Sequence, residues 1–243
     1  MADKSSYTRQ SLLQDPDLLV IYRDPVTPPK PAPGQPGTHS NFTPREPEIF
    51  IAVLSDSHIV AFNGHVDLGT GIRTALAQIV AEELSVAFDN VTMVLGNSLE
   101  VPNQGPTIAS ASIQITAEPL RRAAAQAREY LLTLAAQHFD AQLHCQDGAI
   151  YLNDTLQANE NDKHRTPVSY GELLQGARHA LKLADEVRLK PVSDYTQVGQ
   201  STARVDIPAK ATGQLTFIHD LRLPDMLHGR VIRPPYVGHD SGD

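Results

Sequence analysis

The chain contains no tryptophan, one cysteine and few aromatic residues (5%). A single thiol, Cys145, cannot close an internal disulfide, build a cysteine-based zinc site or hold an iron–sulfur cluster. Any relay through such clusters must therefore sit on another chain. In Leu-His-Cys-Gln-Asp-Gly, Cys145 reads as a half-buried strand residue. Basic residues are also scarce: 20 Lys and Arg against 28 Asp and Glu leave a net charge of −8. A nucleic-acid binder would show a basic stripe, so no nucleic-acid partner is expected. No apolar run approaches the ~18 residues of a membrane span. The opening Met-Ala-Asp-Lys-Ser-Ser-Tyr lacks the apolar core of a signal peptide and no twin-Arg signal follows. A cytoplasmic location is expected, with membrane association only through a partner. The ten histidines are scattered, without a His-x-x-x-His pair, and are expected in structural or surface roles. No Gly-x-Ser-x-Gly elbow is present, so an α/β-hydrolase is unsupported.

What the chain does have is length, 243 residues, enough for one large domain or two small ones. Half of its 18 prolines fall before residue 50. Residues 1–45 are expected as an extended, Pro-rich arm. It reads as a linker or as an arm on a partner subunit, with Leu12-Leu13 and Leu18 to Tyr22 as apolar anchors. From Glu48 the text becomes globular. Ile49–Leu54 and Ile59–Phe62 read as strands around an Asp56-Ser-His turn, and Asn63-Gly64 is a turn dipeptide. Ile72, Leu76, Ile79, Val80 and Leu84 have helical spacing, from near Gly71 to near Ser85. Val91–Leu95 reads as a buried strand, Asn97 to Ser110 as a loop. A long helix is expected from about Pro119 through Phe139, with its stripe on Leu120, Ala124, Leu131, Leu134 and Ala135. Leu143–Cys145 and Ala149–Leu152 flank Asp147-Gly148 as a hairpin. Ser169 and Glu172 form a capping box that opens a helix from about Tyr170 to Leu183, which gives Glu172 a structural rather than catalytic role. Residues 160–168 and 190–202 read as loops. Arg204–Pro208, Gln214–Ile218 and Met226–Arg233 read as strands. Arg121 and Arg122 read as a solvated helix face.

Two small-residue loops carry the chemistry. In Asp67-Leu-Gly-Thr-Gly-Ile-Arg-Thr74, Gly69 and Gly71 permit positive φ and close backbone approach, and Thr70 adds a hydroxyl. Exposed N–H groups at a helix start attract anions. A nucleotide P-loop is excluded, since no Gly-Lys-Ser/Thr follows, and the dinucleotide fingerprint fails at Thr74. An ordinary strand-to-helix turn without a ligand competes with the anion site. In Gly105-Pro-Thr-Ile-Ala-Ser-Ala-Ser112, Thr107, Ser110 and Ser112 offer hydroxyls to phosphate oxygens between small residues. A plain Ser/Thr-rich turn competes here as well.

Together, in this order, the two segments resemble the cofactor loops of the molybdenum hydroxylases, the xanthine dehydrogenase family. The family's Glu-Met-Gly-Gln-Gly loop, with its following apolar residue and Thr, is matched by Asp67, Leu68, Gly69, Thr70, Gly71, Ile72 and Thr74. Its Pro-Thr-Ala-Ala-Ser-Ala-Ser segment is matched by residues 106–112. Thr70 stands where a Gln is frequent, and Ile108 where an Ala is usual. The run from Leu68 to Leu84 is similar to the branch containing nicotinate dehydrogenase and isoquinoline 1-oxidoreductase. Arg204–Gly213 and Leu223–Pro235 resemble the opening of the family's hammerhead domain.

The resemblance implies an α+β fold: a segment of the molybdopterin-binding domain over 46–200, then a hammerhead domain that begins at 201–243 and is cut short. It implies cofactor contacts at Gly69, Thr70, Gly71, Thr107, Ala109, Ser110, Ala111 and Ser112, with the backbone of Ala109 nearest the metal. No residue matches the family's active-site glutamate, and none is assigned as catalytic base or metal ligand. The implied cofactor is molybdenum–molybdopterin, in its cytosine dinucleotide form, with iron–sulfur clusters on a partner chain. The implied activity is hydroxylation of an N-heteroaromatic such as nicotinate, with water as oxygen source; an aldehyde is the competing substrate. Implied partners are a [2Fe-2S] small subunit, the remainder of the molybdopterin-binding subunit and a cytochrome c acceptor. The chain is expected to be the N-terminal portion of a longer or split subunit, inactive alone. A non-catalytic fragment or assembly module without cofactor is the reading from another class.

Overall fold

The computed structural model describes residues 7–26, 45–137, 139, 142–152 and 167–233. They fall into two compact units that divide between Val205 and Asp206. In chain order the first unit holds α1 (Arg9–Gln14), β1 (Leu18–Arg23), β2 (Glu48–Leu54), β3 (Ile59–Asn63), α2 (Ile72–Leu84), β4 (Val91–Leu95) and α3 (Ala117–Ala136). A π-helical turn, Ser112–Thr116, leads into α3. Then follow β5 (Leu143–Gln146), β6 (Ala149–Leu152), β7 (Val168–Ser169), α4 (Tyr170–Leu174) and β8 (His179–Lys182). The mixed helix-and-sheet content agrees with the α+β expectation.

The main sheet runs β4-β3-β2-β1-β8. β1, β2 and β3 pair antiparallel, while β4 on β3 and β8 on β1 are parallel. β2 is buried along its whole length, which a central strand covered on both faces requires. On one side Leu19, Ile21, Ile51, Val53 and Ala61 meet α2 and α3 through Leu76, Val80, Leu120, Ala124 and Leu131. The alanines of α3 carry small side chains and allow close packing. Truncating one of the buried leucines to alanine costs about 2–5 kcal/mol. On the other side Leu18, Val20, Ala52, Val60 and Phe62 are covered by Leu12 and Val101. Ile21 pairs with Ile51 and Tyr22 with Ile49, so Phe50 is the extra residue of a bulge. β5, β6 and β7 form a second, antiparallel sheet.

Three expectations for the first unit are corrected. Residues 9–23 are not part of an extended arm: β1 lies inside the sheet, with Leu18 to Ile21 fully buried. The apolar anchors meet the chain's own core; the Pro-rich run at 27–44 lies outside the described residues. The helix opened by the Ser169 capping box stops at Leu174. Gly176 turns the chain at φ 76°, and β8 takes the open edge of β1. Arg121 and Arg122 do not form a solvated face. Arg121 and Arg128 each reach the buried Glu83 at 2.7 Å, and Arg122 donates to the carbonyls of Ala184 and Asp185.

The second unit contains α5 (Ile207–Ala211) and a 3-10 turn at Ile218–Asp220. None of its described residues forms a strand or is buried. The strands expected at 204–208, 214–218 and 226–233 do not form. A strand needs a ladder partner, and here Leu227 and Ile232 remain 94% and 93% exposed. Among the described residues no helix is long and apolar enough to cross a membrane.

Candidate cofactor site

β3 ends at Asn63 and delivers the chain into the first loop. Gly64 passes so close to the segment leading into the second loop that a Cβ there would lie 2.3 Å from the carbonyl oxygen of Pro102. The loop then turns into α2 through Gly71, the N-cap, at φ 81°. Gly71 offers no capping side chain, and Asp67 takes that role. Its Oδ1 accepts from the N–H groups of Gly69 (2.9 Å) and Gly71 (3.1 Å), and Oδ2 accepts from Arg73 (3.1 Å). The N–H groups of Gly69 and Gly71, expected to face an external anion, therefore face the chain's own carboxylate. Arg204 closes over this turn: it donates to the carbonyl of Gly69 at 3.0 Å, and a Cβ on Gly71 would meet its Nε at 3.2 Å.

The second loop carries two consecutive non-glycine residues in the left-handed region, Ala109 (φ 52°) and Ser110 (φ 55°). Each costs on the order of 1–2 kcal/mol, and such outliers concentrate at ligand sites. The turn is closed by Ala111, whose N–H donates to the carbonyl of Ile108 at 3.0 Å. Thr107 ties it to the first loop, its Oγ1 accepting from the N–H of Val66 at 3.0 Å.

Between the loops lies an open cleft of ≈ 450 Å³. Thr70, Thr107, Ala109, Ser110 and Ser112 line it, with Val66, Leu68, Ile72, Ile108 and Ile113 as its apolar walls. Five of the eight residues expected to contact the cofactor thus share one cleft. Gly69, Gly71 and Ala111 shape it without lining it. Ile72 is buried, but the other apolar walls are open to solvent: Leu68 is 72% and Ile108 58% exposed. Ser112 differs from the other hydroxyls. It is buried, and its Oγ lies 2.7 Å from Nδ1 of His65. Burial lowers the pKa of the His65 imidazole below its ordinary value, more than the backbone of Gln104 raises it.

Residue-type reasoning missed Asp67 as the cap, His65 as the partner of Ser112, and the apolar walls. Asp67 had a readable signal, a carboxylate just before a Gly-x-Gly helix start. His65 had none, because its partner is 47 residues away. Among the described residues no group of three or more His, Cys, Asp or Glu is placed to hold a metal ion.

This lining suits a pterin with a phosphate tail. Neutral hydroxyl-bearing residues Thr70, Thr107 and Ser110 share the lining with apolar side chains, and the space beside Gly69 holds no heavy atom within 4 Å of a Cβ position. Such a cleft can sandwich a flat heterocycle and still hydrogen-bond an anion.

Residues 31–217 match the molybdopterin cofactor-binding domain family. The chain belongs to this family. Over 236 residues it is 53% identical to a nicotinate dehydrogenase subunit from Pseudomonas putida, covering 97% of this chain and 19% of that protein. Over 235 residues it is 28% identical to the beta subunit of isoquinoline 1-oxidoreductase from Brevundimonas diminuta, covering 79% of this chain and 29% of that protein. The molybdopterin cofactor-binding chain thus spans less than a third of the length of these curated relatives. The crystal structure of quinoline 2-oxidoreductase from Pseudomonas putida 86 aligns with 51% of this chain and 15% of that one, at 21% identity and a TM-score of 0.42.

Proposed function

We propose that this chain supplies part of the molybdopterin cradle of a molybdenum hydroxylase that acts on an N-heteroaromatic such as nicotinate. One observation carries the reading: two loops about thirty residues apart in sequence, both resembling cofactor segments, line the same cleft. Thr70, Thr107 and Ser110 would hold phosphate or pterin oxygens, and Ala109 would keep its backbone and small side chain at the cleft floor. When bound, the molybdenum cofactor would supply the redox chemistry of a hydroxylation whose oxygen comes from water. The residues of this chain would orient that group, with Val66, Leu68, Ile108 and Ile113 as the apolar walls against it.

The name and 53% identity of the nicotinate dehydrogenase relative support the substrate class. On this reading the catalytic base and the rest of the pocket belong to the remainder of the molybdopterin-binding subunit. A [2Fe-2S] small subunit takes the electrons and passes them on, in one form to a cytochrome c. The cytosine dinucleotide form of the cofactor is part of the same proposal. So is a hammerhead domain opening after residue 200, supported by the sequence resemblance alone. One observation favours the cofactor-free reading, a fragment or assembly module: Asp67 already fills the Gly69 and Gly71 amides.

Metal and pterin analysis separates the two. The chain is expressed with its partner subunits, purified, and assayed for molybdenum and released pterin, as wild type and as Ser110→Ala with Thr107→Ala. Stoichiometric cofactor in the wild type and a clear loss in the variant are expected. A wild-type complex devoid of both would sink the cofactor reading.

A further inference from the structure

Two adjacent residues of the first loop hold the two ends of the second. The N–H of Val66 donates to Thr107 Oγ1 at 3.0 Å, and Nδ1 of His65 lies 2.7 Å from Ser112 Oγ. Between these anchors runs the left-handed turn at Ala109 and Ser110. A turn of that conformation is unfavourable for L-residues and needs its ends fixed from outside.

The His65 end is built as an interior joint. His65 is 1% and Ser112 8% exposed. The His65 N–H donates to Asn63 Oδ1 at 3.1 Å, and Asn63 Nδ2 donates to the Thr116 carbonyl at 3.0 Å. Thr116 Oγ1 donates back to the Ser112 carbonyl at 3.0 Å. Gln104, at the start of the second loop, accepts from Gly64 at 2.8 Å and donates to the same Thr116 carbonyl at 3.0 Å. The end of β3, both ends of the second loop and the π-helical turn are therefore one hydrogen-bonded network. The Ser112 hydroxyl is engaged by His65 inside this network, at 2.7 Å from Nδ1.

We propose that His65 is a positioning residue of the cofactor cleft: with Val66 it clamps the 107–112 turn, and the Ser112 hydroxyl serves that clamp rather than the cofactor. This rests on the cofactor reading for its functional consequence, but the clamp is a property of the chain itself. Losing one buried hydrogen bond of this kind loosens the turn by roughly tenfold in its opening equilibrium.

The test uses the full chain without cofactor and the complex with its partner subunits. His65→Leu, Ser112→Ala and the double variant are compared with wild type by amide hydrogen exchange and by molybdenum and pterin content. Expected is about tenfold faster exchange across 107–112 in each single variant, unchanged exchange in the centre of α3, and a double variant no faster than the singles. Additive effects in the double variant, or unchanged exchange in Ser112→Ala, would overturn the clamp. Ser112→Ala decides the matter if His65→Leu fails to fold, because it removes the same bond with almost no change in volume. Faster exchange in a protein whose wild type carries no molybdenum leaves the clamp standing and removes the cofactor reading.

Discussion

Asp67 Oδ1 accepts the backbone N–H of Gly71 at 3.1 Å, so the start of α2 is capped by a carboxylate four residues upstream. The same side chain takes the N–H groups of Gly69 and Arg73. A negative group at a helix N-terminus is favourable both as acceptor and against the helix dipole. The glycine loop is thus held by the chain's own carboxylate. What it offers a ligand is its shape and the Thr70 hydroxyl, not the amides that Asp67 already holds.

Asp67→Ala removes three hydrogen bonds at once and should lower unfolding free energy by about 1–2 kcal/mol, the scale of a lost helix cap. Asp67→Asn keeps an acceptor and loses the charge, so its effect should be smaller. Urea denaturation of the two variants beside wild type measures both. Equal midpoints for all three proteins would show that the cap contributes nothing.

A second prediction concerns pH. Glu82 is buried at the end of α2, and burial alone would raise its pKa. The N–H groups of Gln197 and Val198, the ammonium of Lys190 and the N–H of Thr196 outweigh that, and the carboxyl titrates below its ordinary value of 4.5. The sign follows from linkage. A carboxyl depressed in the folded state stabilises fully above its unfolded pKa, and that contribution disappears as pH falls through the folded value. Wild type should therefore lose stability on acidification below pH ~4.5 more steeply than Glu82→Gln. Parallel stability curves for the two proteins across that window would contradict it.

Much of the first unit is written locally. β2, β3 and α2 follow from runs and spacings that contain their own signal, and the Ser169–Glu172 box is present with both of its hydrogen bonds. The Thr107–Ser112 segment is recognisable by likeness, and four of its residues expected as contacts, Thr107, Ala109, Ser110 and Ser112, line the cleft. What is not legible depends on distant partners. His179–Lys182 is a strand only because β1 leaves an edge open some 160 residues earlier, and the local text continues the preceding helix. Leu18 to Ile21 resemble anchors for another chain because the prolines after them hide the return to β2. The inward turn of Ser112 depends on His65, and no periodicity reports it.

Two glycines of the first loop make a contrasting pair. Gly64→Ala would put a methyl group 2.3 Å from the Pro102 carbonyl, where backbone must move, and would disturb the bond from Gly64 to Gln104. A loss of about 1–3 kcal/mol is expected, as for overpacking elsewhere. Gly69→Ala meets no atom within 4 Å and suffers only from φ +101°. Its loss should be about 1 kcal/mol, from the backbone alone. Thermal unfolding ranks the two, and a reversed order would show that the loops are not in close contact at Gly64.

Ala109 allows the left-handed turn itself to be tested. At φ 52° an alanine is held where glycine rests without penalty. Ala109→Gly should raise the stability of the cofactor-free chain by up to about 1 kcal/mol, the left-handed penalty minus the entropy that glycine gains when unfolded. Ala109→Val should do the reverse. A β-branched side chain is a true outlier at this φ, and its extra methyl groups would intrude on a cleft that Ala109 lines. The valine variant should therefore lose both stability and molybdenum, whereas the glycine variant loses neither. Calorimetry and metal content on the same samples decide it: if glycine and valine shift the melting temperature in the same direction, the turn in solution is not left-handed at this residue.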